Sequence, residues 1–103
     1  MTASSLSKDN NILRLQGEAT FNTLTSLIAQ LEKMLTGDIV EFNCSEVTKA
    51  DSSTIALLLY ALQLAHKNKS TLKIVAVTDS IKKLLKLYGL EELLSTNELA
   101  RAH

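Results

Sequence analysis

A chain of 103 residues with eleven basic and eleven acidic side chains carries no net charge at pH 7. The balance gives no large field with which to hold a polyanion, and nucleic acid is not the expected partner. Its length suits one domain that buries about two-thirds of its unfolded surface without a disulfide or a structural metal.

The single cysteine, Cys44, cannot form an internal bridge and suits a reducing compartment. The longest unbroken apolar run, Ile55 to Leu62, falls well short of the roughly 18 residues of a membrane span. Met1 to Ser5 shows neither the basic start nor the apolar stretch of a signal segment. A folded cytoplasmic protein is the expectation. With no proline and three glycines, no linker divides the chain, so residues 1–103 read as a single domain with tails at about 1–5 and 95–103.

In chain order, the first strand is expected near Leu6, followed by turn chemistry at Asp9-Asn10-Asn11 and a strand from Ile12 to Gln16 ended by Gly17. Thr20 reads as the cap of a helix whose Phe21, Leu24, Leu27, Ile28, Leu31 and Leu35 share a buried face, with Gly37 as its stop. Ile39 to Asn43 is an interior strand, and Cys44 to Ala50 is its connection to the next helix. That helix runs from Asp51 to about Lys67. Leu72 to Val77 is the next strand, Thr78-Asp79-Ser80 caps a third helix stopped by Gly89, and Leu90, Leu93 and Leu94 form a last short helix. This order gives an α/β fold: a small mixed sheet of about four strands, its first hairpin strand antiparallel and the rest parallel through right-handed crossovers, with helices packed against it. Gly17 to Thr20, Asp51 to Thr54 and Thr78 to Ser80 all follow strands, so they are expected to share one end, the usual place for a site.

The stretch Asp51-Ser52-Ser53-Thr54, followed without a break by Ile55 to Leu62, organises the rest. Asp is a strong N-cap, and the positive end of the helix dipole favours its charge. Behind it, Ile55, Leu58, Leu59 and Leu62 make one buried stripe, while Leu57, Tyr60, Ala61 and Leu64 cover much of the opposite side. On its first four residues alone this turn serves a cap and a site equally. The surplus of apolar surface beside it asks for a partner, and Leu57 and Tyr60 are expected at that contact with Asp51, Ser52, Ser53 and Thr54.

Enzyme chemistry finds little to stand on. There is no Gly-x-Ser-x-Gly elbow, and Ser52 and His66 lie roughly 21 Å apart along one helix. One cysteine and two distant histidines offer no metal-ligand spacing. No phosphate-binding glycine pattern is present, so neither a cofactor nor a metal is expected. Lys82, Lys83 and Lys86 read as a solvated helix face.

Asp51-Ser52-Ser53-Thr54-Ile55-Ala56-Leu57-Leu58-Leu59, with Leu84 to Leu94 downstream, resembles the STAS domain, the family of sulfate transporters and anti-sigma factor antagonists, over roughly residues 6 to 94. Ala-Leu-Leu-Leu after the serines and Leu-Tyr-Gly-Leu in the third helix look most like its MlaB branch, the small cytoplasmic subunit of the Mla phospholipid ABC transporter that maintains outer-membrane lipid asymmetry in Gram-negative bacteria. The resemblance implies a non-enzymatic subunit, peripheral at the inner face of the inner membrane, that binds the ATPase subunit and supports its assembly and activity. It matches Ser52 to the hydroxyl linked to function in that branch. The alternative it carries is an anti-sigma factor antagonist switched by phosphorylation, with Ser53 as the matching phosphoacceptor. Thr54 stands where the antagonist pattern has Gly, and a β-branched side chain there is expected to narrow the approach to Ser53.

Overall fold

The computed structural model describes residues 4–94. Strands β1 (Ser5–Asp9), β2 (Ile12–Ala19), β3 (Glu41–Ala50) and β4 (Lys73–Val75) alternate with helices α1 (Leu24–Met34), α2 (Ser52–Lys67) and α3 (Asp79–Leu87), and a short 3-10 turn, Glu91–Leu93, follows. The sheet order is β1-β2-β3-β4. β1 is antiparallel to β2, and the other two pairings are parallel. This is the mixed four-stranded sheet with helices against it that the chain order implies.

The core sits between sheet and helices. Along β2, half-buried and buried positions alternate, so Leu13, Leu15 and Ala19 point to one face, where Phe42, Cys44 and Ile74 join them with Leu27 and Leu31 of α1, Leu58 of α2 and Ile81 and Leu85 of α3. Cys44 is inside this core, and burial pushes its thiol up to about 12. A molecular thickness of 20 Å matches one sheet plus one helix layer, since packed layers lie about 10 Å apart.

Several boundaries differ from the sequence expectation, each for a physical reason. Gly17 does not end β2. It adopts φ 82 inside the strand, where the β2–β3 register shifts between Gly17 and Glu18, so the glycine marks an irregularity rather than a stop. Cys44 to Ala50 is the second half of β3 rather than a connection. A second register shift lies there, and the Asn43 side chain accepts from the Ser45 N–H at 2.9 Å and the Ser45 hydroxyl at 2.7 Å. That polar clamp holds the bulge, and the chain continues as strand beyond it.

Thr20 does not cap α1. The helix begins after Thr23, because Thr23 donates its hydroxyl to Glu18 O and Thr20 O and the intervening residues form a turn. α1 ends at Met34 with Leu35 as its cap, and Gly37 lies beyond it without a left-handed φ. β4 keeps only three of the six expected residues, since Ala76 turns to φ 55 and leaves the strand. The last helix is a single 3-10 turn, after which Leu94 bridges Ile74. The expected tail from Ser95 to His103, like residues 1–3, lies outside the described residues.

Gly89 behaves as expected. It sits at φ 68, with the Leu90 N–H on Leu85 O at 2.8 Å and the Gly89 N–H on Lys86 O at 3.1 Å, the paired closure of a Schellman stop. α2 ends in the same way with a lysine in the left-handed position: Lys69 has φ 59, the Ser70 N–H meets Ala65 O at 2.9 Å and the Lys69 N–H meets His66 O at 3.0 Å.

Candidate functional site

The carboxyl ends of β2 and β3 are neighbours, with Ala19 opposite Ala50. The chain leaves both strands at the same height, and the two exits are tied together by Asp51 and Thr54. Asp51 Oδ1 accepts from the Ser53 N–H at 2.8 Å, while the Asp51 N–H donates to Thr54 Oγ1 at 3.1 Å. This reciprocal cap closes the start of α2. The second carboxylate oxygen, Asp51 Oδ2, accepts from the Phe21 N–H at 3.1 Å, so one side chain holds both the helix start and the β2–α1 loop. The Thr54 hydroxyl donates to Ala19 O at 2.5 Å, which completes the tie.

These bonds decide which expected site residues reach the surface. Asp51 and Ser53 are half-buried and Ser52 is exposed. Thr54 is fully buried, a correction to its expected place on the rim. Its side chain faces inward, so it does not stand over Ser53 as its β-branched shape suggested. Leu57 is likewise fully buried and offers no surface to a partner. The stripe of Leu57, Tyr60, Ala61 and Leu64 is taken by the chain itself: Leu57 and Ala61 lie in the core, and the Tyr60 hydroxyl donates to the Glu32 carboxylate of α1. That bond holds the phenol above its ordinary pKa, because an adjacent carboxylate disfavours the phenolate.

The face α2 leaves open is instead Ser52, Ala56, Leu59, Gln63 and His66, residues that recur at helical spacing along its outer side. Two shallow hollows of about 560 and 380 Å³ meet at Leu59. The upper one has Ser52 and Ala56 on one wall and Tyr88 and Leu90 on the other. The lower one reaches His66 and Leu93. Leu59 is 38% and Tyr88 50% exposed.

Thr78 to Ser80 contributes less to this end than its position after a strand suggested. β4 stops opposite Asn43, seven residues below Ala50 on β3, roughly 20 Å lower at the rise of a strand. It is the far end of α3, at Tyr88 and Leu90, that meets α2. Sequence reasoning also missed Phe21, which is 79% exposed beside Asp51. Its apolar spacing matched the buried face of α1, and only the late start of that helix turns it out. No group of three or more His, Cys, Asp or Glu among the described residues could hold a metal ion, and none of the helices there is long and apolar enough to cross a membrane.

A mixed four-stranded sheet, with helices packed on it and a hydroxyl-bearing capped helix start beside an open apolar ridge, defines a small domain of the STAS class. The family described as "Mlab, STAS domain" matches residues 3–95. The chain is 33% identical over 78 residues to the "Intermembrane phospholipid transport system binding protein MlaB" of Escherichia coli (strain K12), a match that covers 76% of this chain and 79% of that protein. The protein of the same name from Shigella flexneri matches equally.

Among solved structures, the anti-sigma factor antagonist SpoIIAA in its unphosphorylated form superposes with a TM-score of 0.69 at 19% identity, over 95% of this chain and 92% of that one. The phosphorylated Bacillus cell fate determinant SpoIIAA gives 0.64 at 17% identity, over 98% and 100%. At such identities the likeness is one of fold. The chain belongs to the STAS domain family, in its MlaB group.

Proposed function

We propose that this protein is the STAS subunit of an Mla-type phospholipid ABC transporter, a non-catalytic component that docks on the ATPase subunit at the inner face of the inner membrane. The observation that carries this reading is the ridge of Ser52, Ala56 and Leu59, which runs outward from the capped turn and is left open by the protein's own core. The MlaB relatives, each named a binding protein of an intermembrane phospholipid transport system, support the choice of transport system. Ser52 presents a neutral hydroxyl with no hydrogen-bond partner among the described residues. Ala56 allows close approach, and Leu59 supplies apolar area.

A contact of this kind is sensitive to a charge that the fold itself tolerates. A carboxylate at Ser52 is compatible with the folded domain, since the first turn of a helix tolerates anions. It opposes docking, since a charge buried against a partner loses its water without compensation. Ser52→Glu is expected to keep the melting temperature of the wild type and to lose co-purification with the ATPase subunit. Co-purification at wild-type yield, with wild-type ATPase activity, would refute the reading.

A further inference from the structure

The two phenylalanines of this chain have opposite fates. Phe42 is fully buried, whereas Phe21 is 79% exposed and is the most exposed large apolar side chain among the described residues. It is absent from the core cluster and from the partly buried side chains packed on it.

Phe21 does not sit on a loose tip. The residue before it, Thr20, is buried, and its N–H donates to Thr23 Oγ1 at 3.0 Å. The Thr23 N–H returns to Thr20 O at 3.0 Å, and the Phe21 N–H is held by Asp51 Oδ2 at 3.1 Å. The backbone is therefore fixed on both sides, and the ring is turned outward by bonds that also delay the start of α1. An aromatic side chain on a fixed backbone has two rotatable bonds to order, so it loses little entropy when it becomes buried, and such residues are enriched as interface anchors. Asp51 immediately precedes Ser52, so Phe21 borders the same capped turn from which the open ridge of α2 begins.

We infer that Phe21 is an aromatic anchor of the docking surface, inserting into an apolar pocket of the ATPase subunit beside Ser52, on a backbone that the Asp51 carboxylate holds in place. This rests on the reading given under Proposed function and adds to it a contact from a different part of the chain. Because the ring touches little of its own domain, its removal acts on binding and not on folding.

The test is a titration of the full chain against the purified ATPase subunit of its transport system, with thermal unfolding of each variant alongside. Phe21→Ala is expected to weaken binding at least tenfold, Phe21→Tyr to retain most of the affinity, and the melting temperature of both to stay within about 2 °C of wild type. Val40→Ala is the control. Val40 is also an exposed apolar residue, 45% accessible, but it precedes β3 at the opposite end of the sheet, and its loss should leave affinity unchanged.

If Phe21→Ala binds within twofold of wild type while Ser52→Glu does not bind, the anchor is refuted and the docking reading stands. A similar loss for Val40→Ala, or a large drop in the melting temperature of Phe21→Ala, would also overturn it. If the wild-type chain fails to bind the ATPase subunit, or Ser52→Glu binds normally, the docking reading falls and the anchor with it.

Discussion

The two buried threonines beneath the capped turn allow one substitution to be made twice with opposite outcomes. Thr54 is fully buried, and its hydroxyl serves two partners, donating to Ala19 O at 2.5 Å and accepting from the Asp51 N–H at 3.1 Å. Thr20 is almost as buried, yet its hydroxyl has no hydrogen-bond partner among the described residues. Valine keeps the shape of threonine and removes the hydroxyl. At Thr54 it strands a carbonyl and an amide, and each unsatisfied buried group costs about 1–3 kcal/mol. Asp51 is only half-buried, so its amide recovers part of that loss from water, and the expected total is about 3 kcal/mol. For a domain of this size each kcal/mol shifts the melting temperature by about 4–8 °C, so Thr54→Val should melt about 12–24 °C below wild type. At Thr20 the same change removes a polar atom that satisfies nothing, and the expected effect lies between neutral and a gain of about 1 kcal/mol. Thermal and urea unfolding of both variants, followed by circular dichroism, measure the difference directly. Equal destabilisation of the two, or a loss below about 1 kcal/mol at Thr54, would refute the view that the Thr54 hydroxyl is what ties the exit of β2 to the start of α2.

The two Schellman stops supply a matched pair. Lys69→Gly relieves a side chain held at φ 59 and should stabilise by up to about 1 kcal/mol, whereas Gly89→Ala forces a Cβ into φ 68 and should cost about 1 kcal/mol, both read from the urea midpoint. Cys44 should be inert to thiol reagents in the native state and react fully on unfolding, because burial holds its thiol protonated. Its folded pKa, about 12, lies above the unfolded value of 9.0, so the unfolded chain binds fewer protons between them. Its contribution is therefore complete below pH 9 and is lost by about 1.4 kcal/mol per unit as pH rises towards 12. The stability of wild type relative to Cys44→Ala should shrink over that window and stay constant from pH 6 to 8.

The start of α2, its end near Lys67 and the stop at Gly89 were legible in the residues themselves, because each is closed by bonds among residues a few positions apart: Asp51 with Ser53 and Thr54, Leu90 with Leu85. The directions of the strands followed for a similar reason, since short strands joined by a hairpin and then by helices leave few ways to build a sheet. What local pattern does not carry is which side of an element its neighbours occupy. α2 is apolar on nearly every side, so periodicity alone assigned Leu57 to the open flank and Leu59 to the buried one. The packing of α1 and the sheet against α2 reversed this, closing over Leu57 and Ala61 and leaving Leu59 at the surface. Phe21 and the bulged second half of β3 were decided at the same level. The bond from Asp51 to Phe21 spans thirty residues, and the β2–β3 irregularities exist only once two distant strands are paired. No window of sequence contains both partners of such a contact, and it is these long-range bonds that determine which side chains face the solvent.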